Sequence, residues 1–427
     1  MPSTIRHLIS INDLTNSDIE RIFDLADGMC EALERKETLD ICKGKILSTL
    51  FYEPSTRTRL SFESAMCRLG GSVISMADAK TSSVAKGETI ADTVRVVQSY
   101  ADVVVMRHPK DGSTVVAGDH SGIPVISGGD GQHEHPTQTL CDLYTIRKRL
   151  KRLEGVSVAL YGDLRHGRTV HSLALGLARF GAKMAFVSPK GFEMPGYVVE
   201  ILKNEYGLEV PQHTSLDEVC IPDVIYQADA HRPPQTQEEF FVDRVRGWDV
   251  IYITRVQKER MPEADRQFAQ KYQLTLNTLK KAKDDTMVMH PLPRLDELSV
   301  EIDRDQRAAY FDQAKFGVPI RMALLVLMLG AEPLRRPRAA VDENGSAANG
   351  KPLAVMKLRS TNGLPDCVNE NCVTRTDEPV KPAYVKLGSN DRDMWCRYCG
   401  VGQPRPPTIQ PYHHPSHHAV GSGSHGQ

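Results

Sequence analysis

Short apolar runs alternate with amphipathic stretches over most of the chain. The apolar runs are typical of buried strands, and they lie at 45–52, 102–106, 156–161, 182–187 and 250–254. The amphipathic stretches have the spacing of helices, and they lie at 58–69, 137–153 and about 168–180. This alternation predicts an α/β protein in which parallel sheets are flanked by helices.

The alternation restarts once, which predicts two α/β domains. Gly155 stands at the break before a fresh run of alternating elements. We therefore expect a first domain at 1–150 and a second domain at 151–304. A last helix, at about 305–332, is expected to pack back on the first domain.

The chain after residue 332 has a different composition. Pro, Arg, Ala, Gly and Asn are frequent in 333–350, as in an exposed linker. A short cysteine-containing domain follows at 351–403. Residues 404–427 are largely Pro, His, Gly and Ser without apolar periodicity, so we expect a disordered tail. The histidines of this tail could bind metal, but a flexible tail is the preferred interpretation.

Composition and charge disfavour several classes of protein. Of the 427 residues, 40% are hydrophobic and 25% are charged, as in ordinary soluble globular proteins. The formal net charge of −1 lacks the basic surplus of a general nucleic-acid binder. No apolar run approaches the roughly 20 residues that span a bilayer, and the N-terminus lacks a signal-peptide core. We therefore expect a cytoplasmic protein whose thiols are reduced.

A candidate anion site follows the first predicted strand. Hydroxyl and guanidinium groups cluster where a helix should begin, at Ser55, Thr56, Arg57, Thr58 and Arg59. Free backbone N–H groups at a helix start attract anions, and a guanidinium can bind phosphate through two parallel hydrogen bonds. By itself, the pattern is equally compatible with a helix cap beside solvated arginines.

Three later segments also place polar groups and proline after apolar strands. These segments are 106–109, 133–138 and 290–294. Ligands of open parallel sheets bind beyond the carboxyl ends of the strands, so the segments are expected to converge on one anion-binding cleft. A histidine before proline, such as His135, can also simply cap a helix.

These runs together resemble the aspartate and ornithine carbamoyltransferases. The matching sequences are Ser-Thr-Arg-Thr-Arg at 55–59, Met-Arg-His-Pro at 106–109, His-Pro-Thr-Gln at 135–138 and His-Pro-Leu-Pro-Arg at 290–294. The resemblance covers about residues 5–330. It implies transfer of a carbamoyl group from carbamoyl phosphate to an amine, in a homotrimer with shared sites.

The charges of other segments bear on the amine acceptor. Aspartate brings two carboxylates and needs cations, whereas ornithine brings an ammonium group and needs an acid. Cations are available at Lys86, Arg165, Arg168 and Arg255, although each alone would be taken for a surface charge. Because Arg-Val-Gln at 255–257 resembles the aspartate branch, the resemblance implies synthesis of N-carbamoyl-L-aspartate in de novo pyrimidine biosynthesis. The alternatives are transfer to another amine such as ornithine, or a catalytically silent zinc-dependent assembly scaffold.

The resemblance also implies the roles of individual residues. Phosphate would be held by Ser55, Thr56, Arg57, Thr58 and Arg107. The carbonyl oxygen would be polarised by Thr58, Arg107 and His135, and the amino group oriented by Gln138 with the backbone carbonyls of Pro291 and Leu292. Aspartate would be bound by Arg168, Arg255 and Gln257, and by Ser82 and Lys86 of a neighbouring subunit. No cofactor is expected at this site.

Two segments depart from the family pattern. Arg165 and His166 stand where family members more usually have Lys-Tyr, which puts the hinge contacts of His166 in doubt. The stretch 230–243 looks longer than usual. We favour a surface loop for it over a lid or a subunit contact.

Four cysteines near the end form two tight pairs. Four residues separate Cys367 from Cys372, two separate Cys396 from Cys399, and twenty-three lie between the pairs. Four thiolates so spaced suit one tetrahedral Zn²⁺ with no open position, which predicts a structural site. Disulfides are the alternative, but a reducing compartment disfavours them. A domain this small is expected to need the metal in order to fold.

The cysteine spacing resembles the zinc domain of the aspartate carbamoyltransferase regulatory chain. In that family the domain docks on catalytic subunits, which implies that it bridges subunits here, within a trimer or a higher assembly of trimers. Only a linker precedes the domain, so we expect no regulation through the nucleotide-binding domain of that chain. Zinc ribbons often bind nucleic acid, but the net charge of −1 disfavours this role.

Overall fold

The computed structural model describes residues 5–76, 83–214, 247–255, 273–280, 282–331, 366–376, 378, 380–386 and 394–403. The predictions for Ser82, Gln257, the linker, the 230–243 loop and the tail lie outside these ranges. Within them, no helix combines the length and the apolar character needed to cross a membrane.

The first sheet has four parallel strands. They are β1 (Ile46–Phe51), β2 (Ser72–Met76), β3 (Val103–His108) and β4 (Val125–Asp130). Their order across the sheet is β2-β1-β3-β4. The accompanying helices are α1 (Asn16–Glu34), α2 (Thr56–Arg68), α3 (Ile90–Val97), α4 (Ser113–His120) and α5 (Pro136–Leu150).

Two helix ends differ from the predicted ones for local reasons. Helix α2 begins two residues before its predicted start, because Ser55 has a non-helical backbone (φ −157°, ψ 86°) and is the N-cap. Helix α5 ends three residues before its predicted end. Lys151 adopts the left-handed conformation (φ 61°) and donates its backbone N–H to the carbonyl of Arg147, which terminates the helix.

The second sheet has five parallel strands, so the predicted α/β class with parallel sheets is confirmed. They are β5 (Ser157–Tyr161), β6 (Lys183–Val187), β7 (Gln212–His213), β8 (Val250–Ile253) and β9 (Met287–Met289). Their order is β7-β6-β5-β8-β9. The helices are α6 (Arg168–Ala178), α7 (Gly196–Tyr206) and the short α8 (Leu276–Leu279). All of β5 is buried, as expected for a strand covered on both faces.

The last long helix returns from the second sheet to the first. Helix α9 (Tyr310–Met328) follows β9 in sequence and packs against α1, α2 and α5. Every residue from 319 to 328 is buried, which matches an apolar sequence without a polar face. Its N-terminal turn therefore lies near the second sheet, and its remainder belongs to the core of the first.

The four-cysteine domain forms a third, antiparallel sheet. Its strands are β10 (Tyr384–Lys386), β11 (Met394–Cys396) and β12 (Gly402–Gln403), in that order. The cysteines share an apolar cluster with Leu50, Ile90 and Val104 of the first unit. The domain thus packs on its own chain, and its bridging of subunits stays a prediction.

Candidate active site and metal centre

The carboxyl ends of β1, β3 and β4 lie side by side at one edge of the first sheet. Phe51 at the end of β1 pairs with Arg107 of β3. His108 of β3 pairs with Asp130 at the end of β4. The segments that follow these strands therefore emerge together, as the open edge of a parallel sheet requires of a ligand site.

The turn after β1 leaves the first N–H groups of α2 available to an anion. The side chain of the N-cap residue, Ser55, makes no capping hydrogen bond. Arg57 is exposed in the first turn, and partial burial lowers the pKa of its guanidinium. Thr58 is buried and reaches toward β4, since a Cβ on Gly128 would lie 3.5 Å from the Thr58 methyl carbon. Helix dipole, N–H groups and guanidinium all favour anion binding here.

Glu53 joins two arginines from different parts of the chain. Its Oε1 lies 2.8 Å from Nε of Arg107 and accepts a hydrogen bond of 2.7 Å from Arg168. Burial, and next the charge of Arg168, lower the pKa of Arg107 to about 9, although Glu53 opposes both. Arg107 is thus still charged at neutral pH. Together with Arg57, the two arginines outnumber their carboxylate, so the cluster retains positive charge for an anionic ligand.

His135 is buried beside these arginines. Its backbone N–H donates to Oγ of Ser172 at 3.0 Å, and Thr137 Oγ1 lies 3.4 Å from its Nδ1. Burial, followed by the charges of Arg107 and Arg168, holds the pKa of His135 well below its usual value. The imidazole is therefore neutral at pH 7, and it can act as a hydrogen-bond donor to a developing oxyanion.

Gly131 occupies a crowded position between this cluster and the cysteine domain. Its carbonyl accepts a hydrogen bond of 2.6 Å from Arg168. Its backbone has a positive φ of 48°, and a Cβ at this position would overlap the carboxylate of Asp111. Only glycine fits both the conformation and the space.

Gln138 and the residues after β9 form the far side of the cluster. Nε2 of Gln138 donates to Asp142 at 2.7 Å. Burial raises the pKa of Asp142 to about 7, although three hydrogen bonds oppose it. After β9, Leu292 has a positive φ of 54°, and its N–H donates to Nδ1 of His290 at 2.8 Å. This bend carries the backbone carbonyls of Pro291 and Leu292.

The candidate aspartate residues do not all join the cluster. Arg168 belongs to it, and Arg255 is half-buried directly after β8. Lys86 is exposed in a 3₁₀ turn, Ser83–Lys86. The described contacts of the cluster residues do not include it.

Arg165 faces a different cleft. This cleft, of about 580 Å³, lies where the cysteine domain meets both sheets, and its lining includes Asp111, Gln132, Arg165, Glu193 and Trp395. Residues 53–58, between β1 and the first turn of α2, are not part of its lining, and its mixed charges do not match a phosphate ligand. We therefore place the chemistry at the strand ends rather than in this cleft.

The four predicted cysteine ligands converge. All four are buried, and their sulfur atoms lie within 4.8 Å of one another. The Sγ atoms of Cys367 and Cys399 are 3.5 Å apart, and those of Cys372 and Cys396 are 3.8 Å apart. Disulfide sulfurs lie about 2.05 Å apart, whereas thiolates around a tetrahedral Zn²⁺ with bonds of about 2.3 Å lie about 3.8 Å apart. The arrangement fits a single, closed metal site.

The cysteine domain docks through a buried carboxylate. Asn369 donates to Oδ2 of Asp111 at 2.7 Å, and Asn371 donates to Oδ1 at 3.2 Å. The same Oδ1 accepts the backbone N–H of Gln132 at 2.6 Å. At the edge of the interface, Arg397 pairs with Asp119 at 2.8 Å.

Sequence reasoning missed three participants. Glu53 directly precedes Pro54 in the run that contains the candidate anion site, and Asp142 lies four residues after Gln138 on one helix face, so both positions carried a local signal. His133 carried none that marked its role, because Asp130 is close in sequence but Gly400 of the cysteine domain is not. Its Nδ1 lies 3.7 Å from Oδ1 of Asp130, and a Cβ on Gly400 would lie 3.3 Å from its Nε2.

Models of known families match three parts of the chain. Residues 6–148 match the carbamoyl-phosphate-binding domain of aspartate/ornithine carbamoyltransferase, and residues 234–328 match its Asp/Orn-binding domain. Residues 360–403 match the metal-binding domain of the aspartate carbamoyltransferase regulatory chain.

Individual relatives agree with these matches. The aspartate carbamoyltransferase catalytic subunit of Thermococcus kodakarensis is 47% identical over 327 residues, 76% of this chain and 97% of the relative. That of Archaeoglobus fulgidus is 45% identical over 323 residues, 75% of this chain and 98% of the relative.

Solved structures give the same result. The catalytic subunit of M. jannaschii aspartate transcarbamoylase has a TM-score of 0.64 and 43% identity, covering 75% of this chain and 96% of that one. The Trypanosoma cruzi enzyme in complex with N-(phosphonacetyl)-L-aspartic acid has a TM-score of 0.65 and 36% identity, covering 76% and 96%. The chain belongs to the aspartate carbamoyltransferase family, and it carries a metal-binding domain of the regulatory-chain type after its catalytic part.

Proposed function

We propose that the chain transfers the carbamoyl group of carbamoyl phosphate to the amino group of L-aspartate at the strand-end cluster. The product would be N-carbamoyl-L-aspartate, an intermediate of de novo pyrimidine synthesis. The observation that carries the proposal is the excess of guanidinium groups around Glu53, beside a histidine that burial keeps neutral. Relatives of known structure have been crystallised with carbamoyl phosphate and aspartate, which supports these substrates.

The phosphate end of the substrate would lie at the start of α2. Its oxygens would receive hydrogen bonds from the hydroxyl, N–H and guanidinium groups of Ser55, Thr56, Arg57, Thr58 and Arg107. The helix dipole adds to this attraction. The positive φ of Leu292 directs the backbone after β9, so the carbonyls of Pro291 and Leu292, with Gln138, would accept from the carbamoyl amino group.

The reaction needs positioning and charge stabilisation more than acid–base strength. The aspartate amine attacks the carbamoyl carbon, a tetrahedral oxyanion forms, the bond to phosphate breaks, and the amine proton passes to the departing phosphate. Thr58, Arg107 and neutral His135 would donate to the oxyanion, and each well-aimed donor contributes about 2.7–4 kcal/mol. Fixing two substrates in one cleft removes about 7–11 kcal/mol more from the barrier.

Aspartate would be bound by cations at the edge of the cluster. Arg168, Arg255 and Gln257 would hold its carboxylates. Ser82 and Lys86 would come from a neighbouring subunit, which implies a homotrimer. The exposed position of Lys86, outside the cluster of its own chain, supports a role across a subunit boundary.

The cysteine site would hold Zn²⁺ in a structural role. Four buried thiols at tetrahedral separations suit Zn²⁺. A closed site without an open coordination position supplies folding energy rather than catalysis.

Carbamoyl transfer to aspartate, and to ornithine as the competing acceptor, tests the proposal. We expect carbamoylated product when aspartate is the acceptor and none when ornithine is. Arg57→Ala should lower kcat/KM for carbamoyl phosphate at least about 100-fold, while the thermal unfolding profile stays unchanged, because Arg57 is exposed. Transfer to ornithine, or undiminished activity of Arg57→Ala, would contradict the assignment, and absence of turnover in the wild type would favour the scaffold.

A further inference from the structure

The carboxylate of Asp142 lies completely buried where α5, α9 and β8 meet. Its Oδ1 accepts hydrogen bonds from Nε2 of Gln138 at 2.7 Å and from Nε2 of Gln313 at 2.5 Å. Its Oδ2 accepts one from the hydroxyl of Tyr252 at 2.8 Å. One oxygen is thus shared by two amides, and the other is reserved for the tyrosine.

The backbone fixes the orientation of the first amide. The N–H of His290 donates to Oε1 of Gln313 at 3.0 Å. A backbone N–H can only donate, so the oxygen of Gln313 must face His290, and its NH₂ group must face Asp142. The direction of this link is therefore fixed by the backbone of His290.

The same reasoning fixes the second amide. Oδ1 of Asp142 can only accept from Gln138 as long as it carries no proton, which holds for the ionised carboxylate and also when the proton lies on Oδ2, facing the Tyr252 hydroxyl. Gln138 therefore turns its NH₂ group toward Asp142, and its Oε1 stays available as an acceptor. A polarity set by the N–H of His290 is passed through two side chains, Gln313 and Asp142, to Gln138.

We infer that Asp142 is a positioning residue: it makes Gln138 present an oxygen to the amino group of carbamoyl phosphate, and so selects carbamoyl over methyl-bearing acyl phosphates. The inference rests on the proposed function, which assigns Gln138 and the carbonyls of Pro291 and Leu292 to that amino group. His290, where the chain of hydrogen bonds begins, directly precedes these carbonyls. One strand end would thus set all three acceptors.

If the amide of Gln138 were reversed, two hydrogen-bond donors would face each other. The NH₂ group of Gln138 would face the NH₂ group of the substrate, and the substrate would lose one hydrogen bond and keep an unpaired donor. Loss of such a bond lowers affinity about tenfold to hundredfold. Acetyl phosphate, which has a methyl group in place of the amino group, would be insensitive to the reversal.

The test is the ratio of two dissociation constants, for carbamoyl phosphate and acetyl phosphate, in the full chain. Inorganic phosphate serves as a third ligand that reports the integrity of the phosphate-binding turn. Asp142→Ala should lower the preference for carbamoyl phosphate about tenfold to hundredfold and leave phosphate binding unchanged. Asp142→Asn should keep the preference, because its oxygen can face both glutamines while its NH₂ group faces the Tyr252 hydroxyl.

Two further variants make the result decisive. Tyr252→Phe removes the bond to Oδ2 and leaves both bonds to Oδ1 in place, so it should keep the preference. If Asp142→Ala does not fold, Asp142→Ser replaces it; a hydroxyl both donates and accepts, so it leaves Gln138 without a fixed orientation.

Three results would overturn the inference. The first is a wild-type preference for carbamoyl phosphate in Asp142→Ala or Asp142→Ser with intact phosphate binding. The second is a loss of that preference in Asp142→Asn as large as in Asp142→Ala. The third is a loss of that preference in Tyr252→Phe. A wild-type chain that fails to bind phosphate, or does not prefer carbamoyl phosphate, would instead contradict the proposed function.

Discussion

The segment 130–135 lies between the cleft at the strand ends and the surface on which the cysteine domain docks. Its cleft face and its docking face meet opposite charges. On the cleft face, burial together with Arg107 and Arg168 holds the pKa of His135 well below its usual value. On the docking face, burial opposes protonation of His133, but Asp130 outweighs it and raises the pKa of His133 to about 9. Two histidines two positions apart thus take opposite protonation states at neutral pH. The cleft face has unbalanced positive charge that suits an anionic ligand. On the docking face, the carboxylate of Asp130 already balances the charge of His133.

The largest effect is expected from destroying the docking face. Cys372→Ser removes one of the four thiolates, and metal binding contributes about 10–16 kcal/mol of folding free energy to small domains of this type. The cysteine domain should therefore unfold, and zinc content measured by atomic absorption should fall to near zero. Phosphate should still bind at the cleft. Cys67→Ser, at an exposed cysteine elsewhere, should keep its metal; full zinc content in Cys372→Ser would refute the four-thiolate site.

Removal of a cleft cation comes next. Arg107→Ala should lower kcat about 10²–10³-fold, the effect of one oxyanion donor. The pKa of His135 should rise, because Arg107 is the largest cause of its depression after burial. NMR titration of the ring would follow this shift. Arg35→Ala, at an exposed site after α1, is the control. A loss of less than about tenfold would place the chemistry elsewhere.

The stability of the docking face should come from its buried hydrogen bonds rather than from its exposed ion pair. Asp111→Ala leaves the amides of Asn369 and Asn371 and the N–H of Gln132 without their acceptor, which should cost about 1–3 kcal/mol. Asp119→Ala breaks only the exposed pair with Arg397 and should cost less than about 1 kcal/mol. Denaturant unfolding measures both. Equal losses would mean that the buried carboxylate has no special role.

The smallest effect is expected from titrating the two histidines. The folded pKa of His133 is raised, so its stabilisation is present below about pH 6.5 and disappears as pH rises through about 9. The folded pKa of His135 is depressed, so it destabilises the fold as pH drops below about 6.5. Relative to alkaline pH, His133→Gln should lose stability that the wild type gains as pH falls from about 9 to 6.5, whereas His135→Gln should escape a loss that the wild type suffers below about pH 6.5. Each change should be at most about 1.4 kcal/mol per pH unit. Changes of the same sign, or in the same pH range, would contradict the comparison.

Local sequence was sufficient to predict five of the nine described parallel strands and to locate the candidate cleft at strand ends. Arg107 and His135 follow apolar runs, and parallel topology brings the ends of such runs to one edge. The buried side chains that support the cleft residues, such as Asp142 beside Gln138, have partners that could not be predicted in the same way. Asp142 meets Tyr252 and Gln313, which are 110 and 171 positions away in sequence. Nothing in the sequence near Gln138 shows which distant donors will surround its neighbour.

The position of the cysteine domain was also beyond local pattern. The spacing of its cysteines predicted the metal site. The spacing did not predict that Asn369 and Asn371 would donate hydrogen bonds to Asp111. That contact depends on how the surfaces of two separately folded units meet. The protonation state of His133, by contrast, is set within the first unit, chiefly by Asp130 three positions before it.

The backbone at Gly131 has consequences for how this chain tolerates change. Arg168 binds its carbonyl on one side, and Asp111 fills the space where a side chain would begin on the other. A single added carbon would therefore disturb the substrate cleft and the attachment of the cysteine domain at once. Saturation mutagenesis selected for activity should recover glycine alone at this codon, even though the residue has no functional group of its own.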